Sequence, residues 1–434
     1  MISLNLQPLR QFRQQVYQVF SPGRDAAFEI MDAISDSPHA RSVVEVSLAP
    51  GMQRQFSSVY KGLERTRMDT PALPRLLVRL ADDQECFQVA GYAIYALDHT
   101  PYPRRAAPTV SDRGLVRAAD RQVIGHQYSL LGRVMHPQGS WLGVTDCERI
   151  PTLSTPVKQG AQQVARLKRL SHGPFIVTAD SEYFAAELLD QASPDCCLLV
   201  RLKGNRVVYD APRPRPPGQR GAPRRHGLRL KLNRPDEQRA PDRHYRLEQA
   251  DGGRVELSLW QNVHVRSHPH LALCLLRVEQ FNADGSRRFV RPLWLAWSGS
   301  PEMDWPTFWQ VYLRRFCLEA VHQFTKNSLA WTRARLGHTD REERWTWLVL
   351  LAYWQLLLAL PAARDIHRPW EKPTAKGRWP SPARVQRDIG RILALVGTPV
   401  RPPKPRGNPC GRPVGYHPVR RARYEVVRKS VRGP

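Results

Sequence analysis

The sequence predicts an α/β fold built on a mixed sheet, and three observations carry that expectation. Between residues 86 and 203, three apolar, β-rich runs come first, and strands alternating with helical stretches follow. About a hundred residues of short strand-like segments, 204–300, then interrupt that rhythm. Helical periodicity flanks both regions, in 1–85 and 301–400, and a basic tail, 401–434, closes the chain. Strands joined by short turns, followed by strands alternating with helices, describe a mixed sheet with helices packed against it.

In order, DAAFEIMDAISDS (25–37) and QFSSVYKGLERTR (55–67) carry apolar residues at helical spacing. The region 1–85 reads as a small DNA-contacting domain or as a helical cap on the core; the pattern does not separate the two. FQVAGYAIYALD (87–98) is a strand ending in Asp98, and 122–136 and 140–150 are two more. Asp146, near the end of the third, reads as a turn residue or an extra acid. Thr155 caps a helix over 155–170, with Pro156 at its first position. PFIVTAD (174–180) is a short strand ending in Asp180; 181–191 is a helix and 195–203 a buried strand. Segments 86–203 therefore form the first part of the sheet core and 204–300 a β-rich insertion. A helix begins at Asp304 with Pro306 and runs to about Ser328, within 301–330. The region 331–400 holds an apolar helix over 343–360 and another over 381–397, capped by Ser381 with Pro382 and stopped by Gly397.

The formal net charge is +27 and the isoelectric point about 10.5. Such an excess favours a polyanionic partner, nucleic acid or an anionic membrane surface. With 434 residues and 41% hydrophobic content, the chain can bury a sizeable core, which excludes general disorder. Seven cysteines, an odd number with no C-x-x-C pair, argue against a disulfide framework and a zinc site, and for a reducing cytoplasm. The N-terminus has no signal-peptide core. WTWLVLLAYWQLLLAL (345–360) is shorter than the roughly 20 residues a membrane span needs and contains Thr346 and Gln355, so it reads as a buried core helix. No H-E-x-x-H and no G-x-x-x-x-G-K-[ST] occurs, which argues against a zincin site and ATP use.

Within VYLRRFCLEAVHQFTK (311–326), one acid, Glu319, stands among cations. At about 100° per residue, Tyr312, Arg315, Glu319, His322 and Lys326 fall within about 80° of one another. Leu313, Phe316, Cys317, Ala320, Val321 and Phe324 form an apolar sector expected to enter the core. The wheel alone fits either a solvated face with local ion pairs or a metal-binding acid facing phosphates. Asp98 and Asp180 each fit a turn acid taken singly. Together with Glu319 they point to an oxygen-ligand set for Mg²⁺ or Mn²⁺ beside a phosphodiester.

This order of elements resembles the ribonuclease-H-like core of DDE transposases over about 85–330. Tyr312, Arg315, Glu319 and Lys326 match the Y-(2)-R-(3)-E-(6)-K signature of a large group of bacterial insertion-sequence transposases. Asp98 matches the first Asp of that family's triad and Asp180 the second. The resemblance implies catalytic and metal-binding roles for Asp98, Asp180 and Glu319, with two Mg²⁺ or Mn²⁺ ions per site. It implies phosphate contacts by Tyr312, Arg315 and Lys326, and cut-and-paste transposition of double-stranded DNA. The partners implied are the element's terminal inverted repeats and target DNA, held by a homodimer in a bacterial, nucleoid-associated setting. A hairpin step would need a flipped base on an aromatic, for which Trp260, Trp294 and Trp297 are candidates beside their reading as core residues. Arg412, between Gly411 and Pro413, is a candidate minor-groove contact in a basic tail. The Arg-Pro run 212–225 is either a DNA-backbone grip or a solvated loop. Another ribonuclease-H-like nuclease, and a non-catalytic DNA-binding protein derived from a transposase, are the competing readings.

Overall fold

A computed structural model describes residues 6–84, 86–118, 121–212, 221–222, 224–375, 377–405 and 411–428. Most of the Arg-Pro run 212–225, and Cys410, lie outside these. The N-terminal part holds α1 (Gln7–Val19), β1 (Phe20–Ser21), α2 (Arg24–Ser35), α3 (Val43–Val46), α4 (Phe56–Arg65), β2 (Arg67–Met68) and α5 (Ala72–Asp82). Then come β3 (Gln88–Val89), β4 (Tyr92–Pro103), β5 (Gly114–Ala118), β6 (Arg121–Val134), β7 (Leu142–Ile150), α6 (Pro156–Leu170), β8 (Phe175–Ala179), α7 (Ala186–Leu189) and β9 (Cys196–Leu202). The insertion contributes β10 (Val207–Asp210), β11 (Arg229–Lys231), β12 (Arg243–Glu248), β13 (Arg254–Val265), β14 (His268–Phe281) and β15 (Leu293–Trp297). The chain closes with α8 (Trp305–Phe308), α9 (Gln310–Leu313), α10 (Phe316–Ser328), α11 (Thr339–Ala359), α12 (Pro382–Gln386) and α13 (Ile389–Val396).

Except for β1 and β2, which pair with each other, all the described strands join one sheet in the order β11-β10-β13-β14-β15-β9-β8-β4-β6-β5, with β12 on β13, β3 on β4 and β7 on β6. Only β4–β8 and β8–β9 are parallel; the other pairs are antiparallel. The insertion thus extends the sheet, because β15 returns antiparallel onto β9. One face of the sheet packs on α6, and the other on the helical body around α11. Thr155 caps α6 by accepting the Lys158 N–H at 3.2 Å.

The segment Thr339–Ala362 is long and apolar enough to cross a membrane, yet 89% of its apolar window is buried inside the protein. Two of its ring N–H groups and the Gln355 amide find partners. Trp354 donates to Val144 O at 2.7 Å, Trp345 to Trp331 O at 3.0 Å, and Gln355 to Ser35 Oγ at 3.0 Å. Helices α1, α2 and α4 pack around α11. Gly143 on β7 allows the approach, since a Cβ there would stand 2.8 Å from the Trp354 ring.

Several expectations need correction. The helix expected over 181–191 is confined to Ala186–Leu189. Tyr183 and Phe184 are both buried, and extended backbone at Ala185 serves two adjacent inward side chains better than a helix. The helix expected from Asp304 to Ser328 is three pieces. Around Arg314 and Arg315 the backbone stays helical but makes i→i+3 bonds, such as Arg315 N–H to Tyr312 O at 3.1 Å. Tighter turns change the phase. Leu313 and Phe316, placed in the core by the wheel, are therefore exposed at 43% and 62%. The inward stripe is Cys317, Leu318, Val321, His322 and Thr325. The helix expected over 381–397 is likewise divided into α12 and α13.

Candidate active site

Asp98 does not close its strand; β4 continues to Pro103. What ends there is the parallel ladder, whose last pair is Leu97–Ala179. The register therefore sets Asp98 beside Asp180 where the two strands part. Strand β8 stops in a turn, with Asp180 O accepting the Tyr183 N–H at 3.0 Å and Asp180 Oδ1 the Ser181 N–H at 2.5 Å. Strand β4 goes on because β6 stays paired with it, from Asp98–Leu130 to Pro103–Gly125. Two prolines are tolerated for a specific reason. Arg104 N–H bonds to Ile124 O at 2.7 Å, so the alternation of an antiparallel ladder turns the nitrogens of Pro101 and Pro103 to the other edge. That edge has no described partner strand past Leu97.

Helix α10 lies over this point. Arg315 joins two acids, donating from Nη1 to Asp98 Oδ2 at 2.8 Å and from Nη2 to Glu319 Oε1 at 2.9 Å. The sequence reading opposed ion pair to metal ligand; in the structure Glu319 is an ion-pair partner, through an arginine shared with Asp98. Burial raises the Asp98 pKa, Arg315 and His99 oppose that, and Asp180 adds to it. Burial works against the Arg315 charge, but Tyr312, Asp98, Glu319 and Asp180 outweigh it and hold its pKa above the ordinary value. Tyr312 is buried beside Arg315, its ring 5.9 Å from the guanidinium and its hydroxyl without a hydrogen-bond partner among the described residues.

Lys326 reaches the same strand face, donating to Thr100 Oγ1 at 2.5 Å, and burial lowers its pKa to about 8. His322, whose role the wheel left open, is buried. Burial first, then Lys326, His99 and Arg315, push its pKa down to about 3, so it is neutral near pH 7, and its Nε2 has no partner among the described residues. His99 Nδ1 lies 3.8 Å from Asp98 Oδ1 and 3.5 Å from the Tyr183 hydroxyl. Sequence reasoning missed His99, Thr100, Tyr102 and Arg104, because it ended the strand at Asp98, whereas β4 continues to Pro103. The alternation of 98, 100, 102 and 104 was the available signal.

The three carboxylates are the hard oxygen donors that Mg²⁺ and Mn²⁺ take. Their donor chemistry fits such an ion. Among the described residues, however, no three His, Cys, Asp or Glu side chains are gathered closely enough to hold one. Arg315 stands between Asp98 and Glu319 instead.

Other expected residues lie elsewhere. Trp260, Trp294 and Trp297 are at most 3% exposed, so none offers a ring face to an unpaired base. Trp260 and Trp294 pack on each other at 5.5 Å, and Trp297 packs on Phe308 at 4.8 Å. Asp146 is not a turn residue. It is buried inside β7 on the α6 side, paired with Arg166 at 2.6 Å, with its pKa raised to about 7 by burial. Arg412 is exposed, its guanidinium 5.6 Å from the Tyr416 ring.

No curated protein matches the chain significantly. A family model described as DDE superfamily endonuclease matches residues 15–133, less than a third of the chain. The match runs from α1 into β6 and includes Asp98 but neither Asp180 nor Glu319. Over that stretch the chain is similar to DDE superfamily endonucleases.

Proposed function

We propose that the protein is a DDE transposase that cleaves DNA at the ends of its element and transfers the 3′-hydroxyls into target DNA. The observation that carries this reading is the meeting of Asp98 and Asp180 at the parting of β4 and β8, with Glu319 joined to Asp98 through Arg315. Asp98, Asp180 and Glu319 would hold the metal, Mg²⁺ or Mn²⁺ with two ions per site. Such ions supply activation of water or a 3′-hydroxyl and stabilise the leaving oxygen. Arg315 would give up its carboxylates to a DNA phosphate, which its fork binds in the same bidentate manner. Lys326 would hold a neighbouring phosphate, and Tyr312 would orient Arg315. A homodimer would hold two element ends, in a cytoplasmic, nucleoid-associated setting.

The test is incubation with Mg²⁺ and linear DNA carrying the inverted repeats that flank the gene. Cleavage followed by joining to a target plasmid supports transposition. Cleavage without joining would favour another nuclease, and binding with no cleavage a non-catalytic DNA-binding protein.

The Lys326 environment sets a pH dependence. Its group is charged below about pH 8 and loses its proton as the pH rises through that value. DNA affinity is expected to fall by about tenfold between pH 7 and 9, the worth of one charge-assisted hydrogen bond. Lys326→Arg should remove that fall; an identical pH profile in the variant would rule the contact out.

A further inference from the structure

Strand β4 carries more than Asp98. Asp98, Thr100, Tyr102 and Arg104 alternate along one face, and each meets the chain segment that runs from Arg315 past Glu319. Asp98 accepts from Arg315 at 2.8 Å and Thr100 from Lys326 at 2.5 Å. Tyr102 donates to Trp331 O at 3.1 Å, and Arg104 to Ala334 O at 2.7 Å and Leu336 O at 2.6 Å. Strand and segment therefore run side by side away from the acids. At about 3.3 Å per residue, the six residues from Asp98 to Arg104 span about 20 Å. That is the rise of about six base pairs.

At the far end three separate stretches meet. Arg113, itself buried, donates to Arg104 O and Arg105 O at 3.4 Å and to Tyr424 O at 3.0 Å. The tail is pinned in return, with Tyr424 N–H on Pro108 O at 2.8 Å and Val427 N–H on Arg113 O at 2.7 Å. Arg421 lies against Gly337, where an added Cβ would stand 2.8 Å from its Nη1. Residues 104–111, 331–337 and 420–428 together hold eight arginines and one acid, Glu425. Arg105, Arg333, Arg335, Arg420, Arg421 and Arg423 are exposed. Among the described residues none of these six pairs with a carboxylate, whereas Arg341 and Arg344 nearby pair with Glu64 at 3.0 Å and Asp340 at 3.9 Å. Six like charges held together by backbone hydrogen bonds, with no counter-ion from the protein, fit a polyanion of regular spacing.

We infer that these six arginines form one phosphate-binding surface for duplex DNA, assembled by strapping the C-terminal tail across the loop after β4. It lies about six base pairs from the bond cut at the acids; that distance rests on the transposase reading, whereas the surface itself does not. The strap makes the tail a built part of the interface.

The test is fluorescence anisotropy of the full chain with a 30-base-pair duplex in EDTA, from 50 to 200 mM NaCl. One variant replaces Arg333, Arg335, Arg420, Arg421 and Arg423 by alanine; a second replaces the same five by lysine. The alanine variant should bind at least 30-fold more weakly at 150 mM NaCl. Its slope of log affinity against log salt should be shallower by about four to five, near 0.9 per phosphate contact. The lysine variant should recover to within about threefold, which a purely structural role would not produce. Wild-type affinity and slope in the alanine variant, or no recovery with lysine, would overturn the surface. So would equal or tighter binding of wild type to phosphatidylserine vesicles. If Asp98→Ala abolishes cleavage while the alanine variant binds normally, the surface falls and the catalytic reading stands. If cleavage is indifferent to Asp98 but the alanine variant binds weakly, the surface stands alone.

Discussion

Alanine at Asp98, Asp180 or Glu319 is expected to lower metal-dependent DNA cleavage by about 10²–10³-fold or more, the scale of losing one preorganised stabiliser of transition-state charge. The three losses should not add, because groups that hold one centre fail together. Binding of duplex DNA should survive, since phosphate contacts by cations, not carboxylates, supply that affinity. Asp98→Ala and Glu319→Ala also free Arg315 from one of its two partners. Stability should change little in Glu319→Ala, because Glu319 keeps 40% of its side-chain surface exposed and an ion pair at such a site contributes about 0–1 kcal/mol. The measurement is single-turnover cleavage with Mg²⁺ alongside thermal melting. Full activity in all three variants would dismiss the site.

Glu342→Ala is expected to destabilise the fold by about 3–5 kcal/mol, the cost of breaking a buried ion pair from one side. Glu342 stands at the start of α11 and is fully buried. It pairs with Arg104, and its Oε2 lies 3.1 Å from His126 Nδ1. Both partners are buried as well, Arg104 at 7% exposed and His126 at 2%. Removing the carboxylate leaves a guanidinium in the core without its charge partner, whereas Glu342→Gln keeps hydrogen-bonding capacity and should cost less. Urea unfolding of both variants checks the order. A variant Glu342→Ala as stable as wild type would show that water or rearrangement satisfies Arg104. The same variant should weaken the arginine surface, because Arg104 anchors the loop 333–337 to β4.

Much of the grouping of these residues was legible because its signals are local. Tyr312, Arg315, Glu319 and Lys326 sit on neighbouring turns, so spacing alone brings them together. Asp180 could be read from the end of a short apolar run. The place of Asp98 was legible only in part. Its strand was expected to end there, whereas only the neighbouring strand ends and β4 runs on through Pro101 to Pro103. Whether a proline breaks a strand depends on which edge its nitrogen faces, and that is a property of pairing. The aromatic candidates failed similarly. Strand-borne tryptophans look alike in sequence whether their face meets solvent or another layer. Because β15 joins β9 and extends the sheet, Trp260, Trp294 and Trp297 are closed in.

The sequence by itself determined the α/β alternation, the apolar core helix, the strongly basic character and the spacing of the acid with its cations. These follow from hydrophobic period and charge, which are written residue by residue. Only the tertiary structure decided that Arg315 bridges Asp98 and Glu319, that the insertion continues the main sheet, and that the basic tail is strapped beside β4. Those outcomes depend on register between strands far apart in the chain and on which buried groups find partners. No local pattern encodes either.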